Sequence, residues 1–306
     1  MEAITPYRKP FTSVSDQLTL LQERGLIIEN PGEAGYYLTH VGYYRLAGFW
    51  QFYQSDRKAH TFRAGTGFSH IIDLYNFDRE LRLLLLDAIE RIEVSFRAVL
   101  INEMSANHGP NWLHDASFAY DYQVMNDLSA VIQIELERSN EDFIKHHEKV
   151  YGKIDPPPVW KTLQVVSFGT LSKIYGNIKK DVPAKKQIAR LFGLPGDGWL
   201  HSWMQVISVL RNYCAHHSRI CYRIFSFPPK EMRRPRLPYI TTLPEAGGRF
   251  SQQLYYQICA VRYLLHTAHP NNQFNGQLKM LMAKFPTVHI HGFGFPQDWQ
   301  LEPLWQ

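Results

Sequence analysis

The chain has 306 residues, of which 45% are hydrophobic and 20% charged, so it can bury a sizeable core in one large domain or two modest ones. Its net charge of +5 and pI of about 9.0 favour a polyanionic partner. Three cysteines without a C-x-x-C pair suggest neither a disulfide framework nor a zinc site. We see no signal peptide and no membrane span, and therefore expect a cytoplasmic protein.

The first half of the chain is predicted to be helical. Residues 13–28 open on a Ser/Asp cap and carry apolar residues at helical spacing up to Gly25. Residues 36–54 are dense in aromatic rings, which we interpret as core, although rings in this pattern can also stack on bases. Residues 71–104 contain neither Gly nor Pro and repeat apolar residues every three or four positions, which predicts a long amphipathic helix.

The second half continues this pattern. A helix is predicted over 122–150, before the prolines of "DPPPVW" break the chain. One helix each is predicted for "WKTLQVVSFGTLSKIYGNI", for "AKKQIARLFGL" and for the segment holding Val209–Arg223, and a final helix for 250–266, before an irregular aromatic tail. The prediction is an all-α fold, with an N-terminal extension (1–60) packed on a helical domain (61–306) as a single structural unit.

The stretch "VLRNYCAHHSRICYR" (Val209–Arg223) is the strongest candidate for a functional site. On a helical wheel, Asn212, His216, Arg219 and Arg223 fall on the side opposite the apolar residues. Such a stripe is usually a solvated face. This one has no Asp, Glu or Lys, and guanidinium, amide and imidazole groups suit a phosphate ligand.

Two residues of this stretch lie off the stripe. His217 falls toward the apolar side, which favours a hydrogen-bonded core histidine and leaves His216 as the candidate for proton transfer. Arg211 lies about 140° from His216 around the helix. The two side chains can meet on one phosphate only through the reach of the arginine or through a neighbouring chain.

Two further groups have competing interpretations. Glu90 and Glu93 share a helix face, either as paired acid and base or as ion-pair partners of arginines such as Arg97. The loop "KEMRRPRLP" is either a solvated loop or an RNA clamp. Its cations are Lys230, Arg233, Arg234 and Arg236.

Arg211, Asn212 and His216 match the R-N-x-x-x-H form of the signature of HEPN-type ribonucleases. The wider chain resembles the bacterial Abi family, the abortive-infection proteins of the AbiD and AbiF type within the HEPN superfamily. The blocks that carry the resemblance are "DQLTLLQERGLII", "VGYYRLAGFWQFY", "FDRELRLLLLDAIERIEVSFR", "PPVWKTLQVVSFGTLSKIY", "RNYCAHHSRICYR" and "GFPQDWQLEPLW". Two departures are Gln164, where the family often has Glu, and Cys221-Tyr222, where Trp-Asn is common.

The resemblance implies a HEPN-like helical bundle, a homodimer with a shared cleft, and an endoribonuclease that needs no metal and no cofactor. His216 would transfer protons, Arg211 would stabilise charge on the phosphate, and Asn212 would orient His216 or the phosphate, with Arg219 and Arg223 on flanking phosphates. Glu90, Glu93 and Gln164 are candidates for supporting contacts. RNA is the expected substrate, and a structured non-coding RNA the expected restraint. The alternatives are a non-catalytic RNA-binding module and a helical protein-interaction domain.

Overall fold

A computed structural model describes residues 10–152, 156–243 and 249–306. The structure is 65% helix, and its described residues form twelve α-helices and one short antiparallel hairpin. The prediction of an all-α fold is confirmed. The α-helices are α1 (Val14–Glu23), α2 (Pro31–His40), α3 (Tyr43–Trp50), α4 (Phe68–His108), α5 (Tyr122–Arg138), α6 (Asp142–Tyr151), α7 (Val159–Val165), α8 (Phe168–Asn177), α9 (Pro183–Leu191), α10 (Asp197–Ala215), α11 (Leu254–Ala268) and α12 (Phe274–Lys284). The hairpin joins β1 (Gln54–Asp56) to β2 (Thr61–Phe62).

Helix boundaries follow the local capping chemistry. Ser13 begins α1 by accepting the N–H of Asp16 at 3.2 Å, and Asn30 begins α2 by accepting the N–H of Glu33 at 3.1 Å. Gly25, with φ of +86°, follows the end of α1 as its sequence position predicts. The helix predicted over 71–104 is confirmed, since α4 covers this range and extends a few residues beyond each end.

Two predicted helices are each split in two. The helix predicted over 122–150 is interrupted between α5 and α6, because Ser139 is extended and its hydroxyl accepts the N–H of Glu141 at 3.3 Å. The helix predicted from Trp160 onward is interrupted between α7 and α8. There Ser167 is also extended, and it caps α8 through the N–H of Thr170 at 3.2 Å. The prediction that residues 250–266 hold the final helix was wrong, since α12 follows.

One compact unit contains the chain up to Glu80 together with Met280–His289. Leu21, Leu38 and Leu46 are buried in its core. The rings of Phe77 and Phe285 meet edge to face at 6.0 Å. The predicted division at residue 60 stays a prediction.

The aromatic segment 36–54, interpreted above as core, divides between interior and surface. Phe49 and Trp50 are buried, but Tyr36 and Tyr44 are 61% and 80% exposed. The expectation of a uniform aromatic core was therefore wrong for these two tyrosines. They lie on the solvent sides of α2 and α3.

The second compact unit contains Leu81–Lys279 and Ile290–Gln306. Its central helix is α10, which packs against α8, α9 and α11. Trp203 of α10 is fully buried, with the rings of Tyr239 and Tyr263 at 5.6 and 5.4 Å. Because Trp203 is enclosed on several sides, the position of α10 is fixed by large aromatic contacts.

The C-terminal tail is irregular, as predicted, and is tied to the second unit by Glu302. This buried carboxylate accepts the backbone N–H of Thr241 at 2.6 Å, the hydroxyl of Thr241 at 2.7 Å and the backbone N–H of Thr242 at 3.0 Å. Burial alone would raise the pKa of Glu302, but these hydrogen bonds outweigh burial and hold the pKa below its ordinary value.

Candidate functional site

The helix that carries the candidate motif ends earlier than its sequence predicts. After Ala215 the N–H of His217 bonds to the carbonyl of Cys214 at 3.2 Å, and the N–H of Ser218 bonds to the carbonyl of Tyr213 at 2.9 Å. His217 has φ of +56°. This is a Schellman motif, in which a left-handed residue closes the helix.

Because α10 ends at Ala215, the helical-wheel prediction was wrong for the residues that follow. Arg219 and Arg223 lie in the turn that follows α10, so they do not continue a helical stripe from Asn212 and His216. His217 was also predicted wrongly as a core histidine, since it is exposed. The left-handed backbone at position 217 turns the chain away from the apolar face on which a continued helix would have placed the ring.

Asn212 and His216 remain neighbours. The N–H of His216 bonds to the carbonyl of Asn212 at 2.9 Å, so the two residues lie one turn apart, and both are exposed. Neither side chain makes a hydrogen bond or an ion pair with another described residue. An amide and an imidazole are thus presented side by side to solvent at the end of α10.

Arg211 lies on the opposite, apolar side of α10. It continues the line of Leu200, Met204 and Ile207, all of which are buried, and is itself only half-buried. Its guanidinium has no hydrogen-bonding or ionic partner among the described residues. A partly buried cation without a carboxylate is unusual, because burial of a charge is costly unless it is paired.

The turn after α10 is held together by its own arginines. Arg219 donates to the carbonyl of Cys221, and Nε of Arg223 donates to the carbonyl of Arg219 at 2.8 Å. The guanidinium of Arg223 also lies over the ring of Tyr213, 4.1 Å from the ring centre. Both arginines therefore have a local structural role.

Tyr213 is the site residue that the sequence interpretation missed. Its ring is half-buried between the guanidinium of Arg223 and the ring of Phe225, which lies edge-on at 5.8 Å. The sequence signal that could have identified Tyr213 is its position directly after Arg211 and Asn212 and ten residues before Arg223. This signal could not have been used without knowing that α10 ends at Ala215, since a continuous helix would place Tyr213 and Arg223 differently.

Tyr222, one of the two departures from the family pattern, packs against the C-terminal tail. Its φ is +55°, and its ring lies edge-on to Phe293 at 5.1 Å. A Cβ at Gly292 would come within 2.2 Å of this ring. The preceding Cys221 is a buried thiol, as are Cys214 and Cys259.

The basic loop is anchored at the other end of α10. The indole N–H of Trp203 donates to the carbonyl of Lys230 at 3.0 Å, and that of Trp199 donates to the carbonyl of Glu231 at 2.9 Å. The ammonium of Lys230 lies over the Trp199 ring at 4.2 Å. With a rise of 1.5 Å per residue, Trp199 and His216 are about 25 Å apart along the helix. The loop and the motif therefore cannot hold the same phosphate.

The arginines of this loop differ in whether the guanidinium group is already paired with a carboxylate. Arg233 pairs with Glu231 at 2.6 Å, and this hydrogen bond raises the pKa of its guanidinium. Arg234 and Arg236 are exposed, and neither side chain bonds to another described residue. The prediction that the loop's cations are unopposed holds for these two and was wrong for Arg233.

The three residues that were candidates for supporting contacts lie apart from the motif. Glu93 pairs with Arg97 at 2.8 Å, which confirms the ion-pair interpretation for this residue, and Arg97 also donates to the carbonyl of Val166 at 3.1 Å. Glu90 is exposed and has no hydrogen-bonding or ionic partner among the described residues. Gln164 is exposed and lines a surface groove with Glu135. No described contact joins Glu90, Glu93 or Gln164 to Arg211.

Elsewhere in the second unit, the buried amine of Lys185 caps the C-terminal end of α8. It donates to the carbonyls of Gly176, at 3.2 Å, and of Ile178, and burial lowers its pKa. Over the described ranges, no three His, Cys, Asp or Glu side chains are grouped so that they could hold a metal ion. In the same ranges, no helix combines the length and the hydropathy needed to cross a bilayer.

The site thus belongs to a helical protein with a cationic, histidine-bearing helix end. The family model described as Abi-like protein matches residues 36–222, more than half of the chain, so the chain belongs to the Abi-like protein family. The match includes Arg211, Asn212 and His216 and ends before the basic loop. Membership implies a role related to abortive infection. No curated protein and no solved structure shows significant similarity to the chain.

Proposed function

We propose that this protein is an endoribonuclease of phage defence that cleaves RNA without a metal ion, at a site formed by Arg211, Asn212 and His216. The observation that carries the proposal is the combination of an exposed Asn212–His216 pair with a half-buried, unpaired Arg211. A phosphate group would supply the anion that the Arg211 guanidinium lacks. Membership of the Abi-like family supports this context.

The chemistry follows from the substrate and the residue types. The 2′-hydroxyl of RNA attacks the adjacent phosphorus, and the bond from phosphorus to the 5′-oxygen breaks, leaving a 2′,3′-cyclic phosphate and a 5′-hydroxyl. A base removes the 2′-hydroxyl proton, and an acid protonates the leaving 5′-oxygen. Imidazole performs both tasks near neutral pH, so His216 transfers protons. Arg211 stabilises the charge on the non-bridging oxygens, and Asn212 orients His216.

The separation of Arg211 and His216 around α10 supports a dimer. Because they lie about 140° apart on one helix, a single chain does not present both to one phosphate without a long reach of the arginine. A symmetric pair of α10 helices would let Arg211 of one protomer and His216 of the other face a shared cleft. The exposed Arg234 and Arg236 would bind phosphates of the same RNA at a distance from the cleaved bond.

A non-catalytic RNA-binding module is the second candidate. It is favoured by the observation that Arg219 and Arg223 bind the carbonyls of their own turn and that Arg211 and His216 lie on different faces of one chain. Binding alone requires positive charge and exposed rings, and it does not require an imidazole at position 216. Position 216 therefore separates the two functions.

The deciding experiment compares His216→Ala with His217→Asn on a labelled single-stranded RNA. His216→Ala should lower the cleavage rate about 100-fold or more while RNA affinity changes little. His217→Asn, which tolerates the left-handed backbone, should cleave like the parent. The products should carry 2′,3′-cyclic phosphate ends, and cleavage should survive EDTA. Wild-type rates for His216→Ala, or loss of cleavage in EDTA, would overturn the assignment of metal-independent cleavage to this motif, and RNA binding without cleavage by the parent would favour the binding module.

A further inference from the structure

A cleft in the first compact unit has the chemistry of a nucleotide site. It has a volume of about 390 Å³ and lies between the end of α1, helix α3 and the β1–β2 hairpin. Arg24, Tyr43, Tyr44, Gln51, Arg57 and His60 are among its lining residues, and we call it the N-terminal cleft. Its volume is within the range of small-molecule sites.

The charges in the N-terminal cleft have one sign. The guanidinium groups of Arg24 and Arg57 line it beside the imidazole of His60, and none of the described residues that line it carries a carboxylate. The acidic residue of the adjoining hairpin, Asp56, accepts the backbone N–H groups of Lys58 and Ala59 at 2.7 and 3.1 Å. Asp56 is not among the residues that line the cleft, and the guanidinium groups of Arg24 and Arg57 make the cleft complementary to an anion.

Both arginine side chains of the cleft contact neighbouring residues. Nη1 of Arg24 donates to the hydroxyl of Tyr43 at 2.8 Å, and the guanidinium of Arg57 lies over the Phe52 ring at 5.7 Å. His60 has φ of +58° in the hairpin turn, and its carbonyl accepts the side-chain amide of Gln54 at 3.3 Å. A preorganised group of donors binds a phosphate with a smaller entropic cost.

The same cleft offers an exposed ring. Tyr44 is 80% exposed, whereas the neighbouring Tyr43 is packed edge-on against Trp50 at 4.8 Å and against Tyr44 at 5.9 Å. Tyr44 thus stands on a rigid aromatic support with its ring open to solvent. Exposed aromatic rings interleaved with arginines are typical of proteins that bind single-stranded nucleic acid.

We propose that the N-terminal cleft binds one nucleotide of a single-stranded RNA, with the base on Tyr44 and the phosphate between Arg24 and Arg57. This extends the proposed function, because it rests on RNA as the partner, but it places a second RNA contact in a different unit from the motif. The exposed Lys58 of the hairpin turn and the exposed Arg63, which follows β2, extend the positive charge beyond the cleft. RNA is favoured over a free nucleotide because these cations extend past one phosphate.

Gly48 provides a way to block the cleft without disturbing the core. It lies in α3 and lines the cleft, and a Cβ added there would meet no atom within 4 Å. Gly48→Leu should fill the space that the nucleotide needs. Gly48→Ala is the matched control, since it adds one carbon and favours the helix.

The test measures binding in the full-length His216→Ala protein, so that RNA is not cleaved. The probe is a fluorescent oligouridylate of about twelve nucleotides, long enough to cover a typical single-strand site. Tyr44→Ala should weaken binding about 5- to 100-fold, while Tyr44→Phe should bind like the parent, since stacking needs only the ring. Gly48→Leu should weaken binding and Gly48→Ala should not. Arg57→Ala should reduce the dependence of log K on log salt by about 0.7.

The outcomes separate this inference from the proposed function. Unchanged affinity in both Tyr44→Ala and Gly48→Leu would overturn the cleft site, and the motif would keep its role if cleavage still required His216. If uridine monophosphate displaced the fluorescent probe at the same concentration as the unlabelled oligonucleotide, the occupant of the cleft would be a free nucleotide. This result would also overturn the inference. Loss of affinity in the cleft variants, together with the same 2′,3′-cyclic phosphate products when these variants are made with His216 intact, would support both.

Discussion

The guanidinium of Arg223 lies over the ring of Tyr213, 4.1 Å from the ring centre, across the turn that ends α10. The contact joins the last turn of the helix to a residue ten positions later. It holds a positive charge near the exposed pair of Asn212 and His216. The position of this charge is thus set by an aromatic contact and a hydrogen bond to the carbonyl of Arg219, and not by helical periodicity.

Removing the charge and removing the ring should have different effects on RNA binding. Arg223→Ala should weaken affinity and reduce the salt dependence of log K by about 0.7, because one phosphate contact is lost. Tyr213→Leu should weaken affinity less and leave the salt dependence unchanged, because the charge remains. Fluorescence anisotropy between about 50 and 200 mM salt measures both. An identical salt dependence in Arg223→Ala and wild type would mean that Arg223 contacts no phosphate.

Mixing two inactive variants should restore cleavage if the site is shared between protomers. A dimer of one Arg211→Ala and one His216→Ala chain contains one site with both residues intact and one site with neither. Random mixing should therefore recover about a quarter of wild-type activity. The variants are refolded together and assayed beside each variant alone. If the mixture stays as inactive as its parts, while light scattering shows mixed dimers, Arg211 and His216 act within one chain.

The carboxylate of Glu302 should make stability depend on acid pH. Its folded-state pKa lies below the ordinary value, so the unfolded chain binds the proton more readily. The stabilisation is present above the unfolded pKa, about 4.3, and is lost as pH falls through the lower folded pKa. Glu302→Gln should cost about 1–3 kcal/mol at pH 7, and the difference should shrink below about pH 4.

Urea unfolding at several pH values measures this difference. The matched control is Glu90→Gln, because Glu90 is exposed and has no hydrogen-bonding or ionic partner in the described parts of the chain. Its stability should equal that of the wild type at every pH. An equal loss in both variants, or a difference at pH 7 that persists unchanged at low pH, would contradict the role given to Glu302.

Substitutions at His217 should be sorted by their tolerance of a left-handed backbone. With φ of +56°, Gly and Asn are compatible with the position, whereas Val should cost about 1–3 kcal/mol because a β-branched side chain rarely adopts it. Thermal unfolding of His217→Gly, His217→Asn and His217→Val gives the comparison. Equal stability of the Val and Gly variants would show that the helix end does not depend on this conformation.

Sequence patterns predicted the elements that depend on local chemistry. The cap at Ser13, the stop at Gly25 and the long helix α4 follow from capping residues and from apolar spacing. The end of α10 could not be predicted in this way, because position 217 carries neither Gly nor Asn, the residues that usually close a helix in the left-handed conformation.

The surroundings of the motif were predictable only in part. The spacing placed Asn212 beside His216 and Arg211 on the other side of the helix, and the structure has the same arrangement. The placement of Lys230 at the far end of α10 depends on tertiary contacts with Trp199 and Trp203, which local patterns do not contain. The exposure of Tyr44 was missed because aromatic density alone does not distinguish core from surface.

The close approach of the Tyr222 ring to Gly292 makes substitutions at these two positions depend on each other. A chain with a large ring at position 222 must keep glycine at 292, since a single methyl group there would overlap the ring. In lineages where position 222 carries a smaller residue, position 292 is released from this restriction. The two sites should therefore change in a fixed order during divergence, with the ring shrinking before the glycine is replaced.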